Sequence, residues 1–290
     1  MSANAERAGP GPEAARPDAL PVADPAVGRV TAGGHGVHIE IDGVLATAGQ
    51  LSTVAPGGYG HFTAMQVRNR QVRGLDLHLA RLDTANREMF GVALDTAGVV
   101  GYIRHALGER TQDASVRVNI CEMPDGPAVM VTVRPPGAMQ AGAWRLQTVP
   151  YQRSVAHIKH LGDFGQGYFQ RLARHNGFDE ALLTGPGGIV SEGSITNIGF
   201  SDGAGIVWPD APALAGITMQ ILERELPRHG VPSRHASVRV SGLGLFAGAF
   251  VTNSRGIAPV GQIDDLAMPV DAALIRTVTE ACESAAWDPI

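Results

Sequence analysis

The hydrophobic pattern of the first half of the chain predicts strands, then helices, then strands again. Every second residue from Val37 to Ile41 is apolar, and the Asp42-Gly43 pair that follows is typical of a hairpin turn. Apolar residues then recur at helical spacing from a predicted N-cap at Asp76 to a predicted stop at Gly91. The predicted elements of this half are a hairpin at 37–45, a turn-rich segment at 55–60, strands at 62–67, 115–121 and 128–133, and helices at 76–90 and 95–107.

The second half mixes short strands with helices and follows a segment rich in proline and glycine. Its predicted strands lie at 144–149, 180–183, 189–191, 195–200, 206–208 and 249–252, and its predicted helices at 167–175, 216–226 and 271–285. The fold class predicted is α/β (α+β) with two mixed α/β domains, because a Pro/Gly-rich linker separates two sets of elements. The predicted small N-terminal domain covers 29–136, the linker 137–143 and the large C-terminal domain 144–290.

The composition argues against several classes of protein. Of the 290 residues, 44% are hydrophobic and 18% are charged, which is enough apolar material for a packed core. The net charge of −5 argues against nucleic-acid binding, and no apolar run reaches the roughly 18 residues of a membrane span. Cys121 and Cys282 predict neither a disulfide framework nor a metal cluster, and they suit a cytoplasmic location. Residues 1–28 are rich in Ala, Pro and Gly, and we expect a disordered tail there.

Lysine is almost absent from this chain. Lysine and arginine together number 23, and Lys159 is the single lysine. A general drift of codon usage toward arginine explains why lysines are few, but it does not explain why one lysine remains. A surface lysine can become arginine, whereas a lysine that must lose its proton and attack a carbonyl cannot, because guanidinium does not deprotonate in proteins. Lys159 is therefore a candidate for a chemical role.

Five segments carry candidate chemistry. Singly, each has an ordinary explanation: Glu192 as a solvated carboxylate, Gly216-Ile217-Thr218 as a helix start, and Arg81 as a surface cation. Together they provide a lysine for a Schiff base, a carboxylate for a pyridine nitrogen, and a helix start with an arginine for a phosphate. Those are the groups that pyridoxal 5'-phosphate (PLP) requires. The segments are 78–82, 156–162, 187–198, 214–218 and 251–254.

The order of these motifs resembles the class IV aminotransferases, the fold-type IV PLP enzymes. That family includes branched-chain and D-amino-acid aminotransferases, R-selective amine transaminases and aminodeoxychorismate lyase. The resemblance runs from about Val37 to the C-terminus through the motifs His78-Leu79-Ala80-Arg81-Leu82, Lys159, Glu192-Gly193, Gly216-Ile217-Thr218 and Thr252-Asn253-Ser254. It implies the D-amino-acid aminotransferase-like fold, with an active site between two domains, and a homodimer.

The resemblance also implies a role for each matching residue. Lys159 is expected to form the Schiff base and to move a proton, and Glu192 is expected to pair with the pyridine nitrogen. His157 and His160 flank the lysine, and alternation of side chains along this segment, rather than the resemblance, is the reason to expect that they point away from the cofactor. No metal is expected. The other expected cofactor-binding residues are Arg81, Ser194, Asn197, Gly216, Ile217, Thr218, Thr252 and Asn253, and the expected substrate-pocket residues are Tyr59, His61, Phe62 and Arg255.

Departures from the resembled pattern leave the reaction open. Gln66 stands where relatives often carry an arginine, and the Arg-Gly pair that many relatives carry is missing near Cys121, so the usual marks of a carboxylate-binding subclass are absent. We expect amino transfer between an amino acid or amine and a 2-oxo acid. The alternative is a lyase reaction, because Lys159-His160-Leu161, Phe62-Thr63 and Thr252-Asn253-Ser254 faintly resemble aminodeoxychorismate lyase. A third hypothesis is a protein that binds PLP or another phosphorylated ligand without turnover, or a regulatory dimer; the presence of both Lys159 and Glu192 argues against it.

Overall fold

The computed structural model describes residues 37–290, apart from the side chains of residues 55–57. The predicted tail at 1–28 and the first residues of the predicted small domain lie outside this range. Its strands in chain order are β1 (His38–Ile41), β2 (Val44–Leu45), β3 (Gly60–Val67), β4 (Gln71–Arg73), β5 (Ala114–Met123), β6 (Gly126–Arg134), β7 (Trp144–Val149), β8 (Glu180–Gly185), β9 (Ile189–Gly193), β10 (Asn197–Ser201), β11 (Ile206–Pro209), β12 (Ser233–Ala236), β13 (Gly248–Asn253), β14 (Gly256–Ile263), β15 (Leu266–Ala267) and β16 (Trp287–Pro289). Its helices are α1 (Ala48–Gly57), α2 (Leu75–Phe90), α3 (Thr96–Leu107), α4 (Phe164–His175), α5 (Ile217–Glu225) and α6 (Ala272–Ser284).

The strands of the first half form an antiparallel sheet in the order β2-β1-β6-β5-β3. The inward side chains of β3, β5 and β6 pack against α2 and α3 and form one apolar cluster, in which Met65, Leu82 and Ile103 are fully buried. Alternation along β3 places Phe62 and Ala64 on the opposite face from Met65. That opposite face is therefore free to form the wall of a site.

The strands of the second half form a nine-stranded mixed sheet. The order along it is β12-β11-β10-β13-β14-β7-β8-β9, and β15 pairs with β14. Its core contains Leu146, Phe200 and Val251, all fully buried, while Trp208 and Phe250 pack edge to face beneath α5 and α6. The C-terminal strand β16 pairs with β4, so the last residues of the chain are tied to the first half.

The sequence-based elements differ from the structure at several places, and strands β12, β14, β15 and β16 were not predicted. The predicted turn-rich segment at 55–60 includes the end of α1, a helix that begins with a capping box between Thr47 and Gln50. Helix α2 begins directly after Gly74, whose backbone is in the left-handed conformation. Asp76 therefore lies in the first turn of α2 and is not its N-cap. Helix α4 starts at Phe164, earlier than predicted. Asp95 caps α3 and Gly91 ends α2 as predicted.

No helix among the described residues is both long enough and apolar enough to cross a membrane.

Candidate active site

A cavity of about 260 Å³ contains most of the residues that the sequence singled out. Phe62 and Ala64 of β3 and Arg117 of β5 form one wall, and residues between β9 and β13 form the other. A larger depression of about 730 Å³ lies near Thr148 and Gly187, but its lining includes no titratable side chain. The smaller cavity contains Lys159, Glu192 and Asp163 together with four arginines.

Lys159 enters this cavity from a segment that is held against β3. The Lys159 carbonyl accepts from the Phe62 amide at 2.8 Å, and the Leu161 amide donates to the Gly60 carbonyl at 2.9 Å. The lysine Nζ lies 4.7 Å from the centroid of the Phe62 ring. Burial, together with the charges of Arg81 and Arg153, lowers the pKa of Lys159 to about 7, and the charge of Glu192 opposes that shift. A large fraction of this amine is therefore unprotonated near neutral pH.

Glu192 faces the cavity from β9 and is held by two donors. Its Oε1 accepts from Nη1 of Arg153 at 3.0 Å, and its Oε2 accepts from the Leu214 amide at 3.2 Å. Glu192 is 4% exposed, and burial raises the pKa of its carboxyl group while Arg153 and the amide oppose that effect. A buried carboxylate with these partners is fixed in position and keeps a counterion even without a ligand.

Arg153 lines the cavity and was not singled out by sequence reasoning. Besides Glu192, its guanidinium donates to the carbonyls of Ala156 at 3.0 Å and Ile158 at 2.9 Å. One buried side chain therefore joins the carboxylate of the site to the segment that carries Lys159. No local signal distinguishes Arg153 from the other arginines, because its partner Glu192 is 39 positions away.

The cavity lining also includes the start of a helix. Helix α5 begins there, after Gly216, and its first amides have no side-chain cap. A Cβ on Gly216 would lie 2.0 Å from Oδ1 of Asn197, so glycine is required for the close approach. The Thr218 hydroxyl donates to the Asn253 carbonyl at 2.8 Å, which fixes the first turn of α5 against β13.

Three buried polar atoms of cavity-lining residues have no partner among the described residues. They are Nε of Arg81, Nε of Arg153 and Oγ1 of Thr252. The second terminal nitrogen of Arg81 donates to the Thr63 hydroxyl, and burial lowers the pKa of Arg81 to about 10. Buried donors without acceptors are costly, so Arg81 and Thr252 suit an anionic ligand in the cavity.

Ser194 and Asn197 line the cavity beside Glu192, with their polar groups mostly bonded to protein. The Ser194 hydroxyl donates to Gln170 and to Oε1 of the fully buried Glu180, and Asn197 Nδ2 donates to the Leu214 carbonyl at 2.7 Å. These bonds fix the turn between β9 and β10. Ile217 and Asn253 also line the cavity.

The four predicted substrate-pocket residues divide into two pairs. Phe62 and Arg255 line the cavity, and Tyr59 and His61 do not. Because side chains alternate along β3, His61 points to the face opposite Phe62, where it contacts Phe90 and lies 3.5 Å from Oδ1 of Asn86. Tyr59 packs edge to face on the same phenylalanine, and its hydroxyl donates to the Met89 carbonyl. The expectation that Tyr59 and His61 face this pocket is therefore corrected.

The histidines that flank Lys159 lie outside the cavity lining. His157 pairs with Glu88 of α2 at 2.9 Å, and Nε2 of His160 lies 3.1 Å from the Ser154 carbonyl. Both contacts direct the rings away from the lysine amine.

The family model described as amino-transferase class IV matches residues 60–263. The chain therefore belongs to the class IV aminotransferase family, and the resemblance of its motifs to this family is confirmed.

Solved structures share the fold at low sequence identity. A hypothetical aminotransferase from Mycobacterium tuberculosis in its PLP-bound form has a TM-score of 0.74 at 19% identity, covering 86% of this chain and 98% of its own. A branched-chain aminotransferase from Thermoproteus uzoniensis with norvaline has a TM-score of 0.75 at 19% identity, covering 85% of this chain and 93% of its own. A putative 4-amino-4-deoxychorismate lyase from Legionella pneumophila has a TM-score of 0.68 at 18% identity, covering 76% of this chain and 89% of its own. No curated protein matches the sequence. These likenesses confirm the predicted mixed α/β fold.

Proposed function

We propose that this chain is a PLP-dependent aminotransferase that moves an amino group between an amino acid or amine and a 2-oxo acid. One observation carries the proposal. The single lysine of the chain reaches into the same cavity as a buried carboxylate and an anion-binding helix start, with its pKa lowered to about 7. A neutral amine beside those two groups is the arrangement that PLP chemistry needs.

The residues of the cavity fit PLP. The unpartnered donors of Arg81 and Thr252, together with the first amides of α5, suit its phosphate. Glu192 suits the pyridine nitrogen, because a carboxylate held by Arg153 favours a protonated ring. Lys159 suits the aldehyde. Each group of the cofactor therefore has a candidate partner among this chain's own side chains.

The residues divide the work of the reaction. Bound PLP supplies an aldehyde that takes up the amino group and a ring that draws electrons from the substrate's α-carbon. Lys159 Nζ can accept the proton of that α-carbon, because much of the amine is unprotonated near neutral pH. Glu192 holds a proton at the ring nitrogen. Arg81 and α5 bind the phosphate and so fix the distance between the ring and the lysine.

Arg81→Ala is expected to weaken cofactor retention far more than turnover at saturating PLP. It removes about 1.5–3 kcal/mol of charge-assisted hydrogen bonding to the phosphate. Dialysis followed by measurement of the remaining cofactor checks this. Arg87→Ala, on the exposed face of the same helix, is the matched control and should retain cofactor like the parent. Equal retention by all three proteins would place the phosphate elsewhere.

The donor is tested with a panel of D- and L-amino acids and of R- and S-phenylethylamine. A donor should change the visible absorbance of the bound cofactor, and a 2-oxo acid added afterwards should restore it. If no member of the panel changes the spectrum, the proposed amino transfer is wrong.

A lyase reaction is the second candidate. The motifs around Lys159 and Thr252 resemble aminodeoxychorismate lyase, and the fold is similar to that of the Legionella protein. A lyase would release pyruvate from aminodeoxychorismate without an oxo-acid acceptor. Pyruvate formation with no transfer of nitrogen would favour it over transamination.

We also propose a homodimer in the cytoplasm. The proposal of a dimer is based on membership of the family. The proposal of a cytoplasmic location is based on the two free cysteines, which suit a reducing compartment. A dimer predicts a mass of about 61 kDa in light scattering, twice the 30.3 kDa of one chain. A fully active protein at the mass of one chain would contradict the dimer.

A further inference from the structure

His78 and Arg81 lie about one turn apart on α2, and both contact the same hydroxyl group. Nη2 of Arg81 donates to the Thr63 hydroxyl, and Nδ1 of His78 lies 2.6 Å from Oγ1 of Thr63. Thr63 is fully buried, and His78 is nearly so. Because Arg81 also lines the cavity, the three side chains form a chain of hydrogen bonds that ends at the candidate active site.

The chemistry of the three groups fixes the direction of both hydrogen bonds. A guanidinium only donates, so the Thr63 oxygen accepts from Arg81. Among residues 37–290 the Thr63 hydroxyl has no acceptor other than Nδ1 of His78, and a buried hydroxyl hydrogen without an acceptor is costly. The hydroxyl therefore donates to Nδ1, and the ring is neutral with its proton on Nε2. Burial and the charge of Arg81 lower the pKa of His78 well below its usual value, which favours the same neutral ring.

This chain of hydrogen bonds is the main polar support of the Arg81 side chain. Within the described part of the chain, Arg81 makes no side-chain hydrogen bond except the one to Thr63, and its buried Nε has no partner. An arginine has many rotamers, and a ligand binds more tightly to a side chain that is already held in its bound position. The acceptor at Nδ1 fixes the rotation of the hydroxyl, so that a lone pair of the Thr63 oxygen faces the guanidinium.

Thr63 belongs to the strand that also holds the lysine segment. Strand β3 is the edge strand of its sheet, and the amide of Phe62 donates to the Lys159 carbonyl at 2.8 Å. Alternation along β3 directs Phe62 into the cavity and Thr63 toward α2. Two adjacent residues of one strand therefore contact Lys159 and Arg81, which fixes these two groups relative to each other.

We propose that His78 is a positioning residue that acts through the Thr63 hydroxyl to hold the Arg81 guanidinium in place for the phosphate of PLP. The inference rests on the proposed function, which assigns that ligand to Arg81. It gives a role to the first residue of the segment 78–82, whose link to a phosphate had depended on Arg81 alone.

Two ligands that differ only by the phosphate isolate this contact. The full chain, freed of cofactor, is titrated with pyridoxamine 5'-phosphate and with pyridoxamine, neither of which can form a Schiff base with Lys159. The ratio of the two dissociation constants measures the preference for the phosphate. Thr63→Val and His78→Phe, which remove the hydroxyl and the ring acceptor, should each lower that preference by about tenfold.

Conservative variants and a matched control accompany this titration. Thr63→Ser keeps the hydroxyl, and His78→Asn places an oxygen the same number of bonds from the backbone as Nδ1, so both should stay within about threefold of the parent. Thr132→Val changes a buried threonine of β6 in the same sheet and should match the parent. An effect of Thr63→Ser as large as that of Thr63→Val would contradict the role of the hydroxyl.

A double variant separates positioning from a general loss of structure. In the Arg81→Ala background no guanidinium remains to be held, so Thr63→Val should cause no further loss of the preference. An equal loss in both backgrounds overturns the inference. So does full preference in Thr63→Val and His78→Phe when Arg81→Ala has lost it, and the proposed function then stands. Full preference in Arg81→Ala overturns this inference together with the assignment of the phosphate in the proposed function.

The histidine ring of the unaltered holo-protein provides a test that needs neither activity nor a variant. Nitrogen-15 NMR of the labelled protein, with His78 assigned through its contact with Thr63, reports which ring nitrogen carries the proton. We expect the proton on Nε2 and none on Nδ1 at pH 7. A proton on Nδ1 would reverse the hydrogen bond to Thr63 and overturn the inference.

Discussion

Lys159→Ala is expected to abolish activity and covalent attachment of the cofactor while the protein still folds. The substitution removes both the nucleophile and the base, so turnover should fall by ~10³-fold or more. Cofactor content after denaturation, turnover and thermal unfolding check the three parts of this expectation. Because the Lys159 side chain makes no hydrogen bond within the described residues, its removal should cost little stability.

Two matched variants distinguish the loss of a reactive amine from other changes of charge near it. Lys159→Arg keeps a cation of similar length but cannot lose its proton, so it should be as inactive as the alanine variant. His157→Ala alters an exposed neighbour that pairs with Glu88 and should keep full activity. An active Lys159→Arg protein would contradict the role given to the lysine.

The pH dependence of cofactor attachment follows from the pKa of Lys159. Its value of about 7 lies below the ordinary lysine value, so the neutral fraction of the amine rises as pH increases through about 7. Attachment of PLP to the apo-protein should therefore speed up between pH 6 and 8 and then level off, as a stopped-flow absorbance series would show. A rate that still climbs steeply at pH 10 would mean that the lysine has an ordinary pKa.

Glu192→Gln is the second variant with a large expected effect. Loss of the carboxylate removes the charge that keeps the ring nitrogen protonated, and kcat should fall by ~10²-fold or more with PLP still bound. It also leaves the buried Arg153 without its counterion, so the free energy of unfolding should fall by about 3–5 kcal/mol.

A control is needed because Glu192→Gln is expected to lower both the rate of the reaction and the stability of the protein. Arg153→Gln breaks the same ion pair but keeps the Glu192 carboxyl group, so its stability should fall by a comparable amount while its kcat at saturating PLP falls less than that of Glu192→Gln. Turnover is compared below the unfolding temperature of every variant. Unchanged kcat in Glu192→Gln would mean that another acid holds the ring nitrogen.

The sequence predicted those parts of the site that depend on local pattern. Lys159 stands out as the single lysine, and the start of α5 is marked by Gly216-Ile217-Thr218, a signal for an anion-binding helix end. Glu192 follows from its place in an ordered set of motifs. Helix α1 had a readable signal that was missed, the capping pair Thr47 and Gln50, because the glycines and proline beyond it suggested a turn.

Other parts of the site and of the fold could not be predicted from the local sequence. Arg153 and Arg117 acquire their positions through partners on other strands, and an arginine among 22 carries no mark of such a partner. Tyr59 and His61 were misplaced because the register of β3 decides which face reaches the cavity. Strand β16 depends on pairing with β4, which is distant in sequence.

The central claim, that Lys159 carries the cofactor, is tested most directly on the unaltered protein. Borohydride reduction of the holo-protein, proteolysis and mass spectrometry would locate the bound pyridoxyl group. With one lysine in the chain, the amines available are Nζ of Lys159 and the N-terminal amine. We expect the label on the peptide that contains Lys159 and on no other. A label confined to the N-terminal peptide would contradict this account.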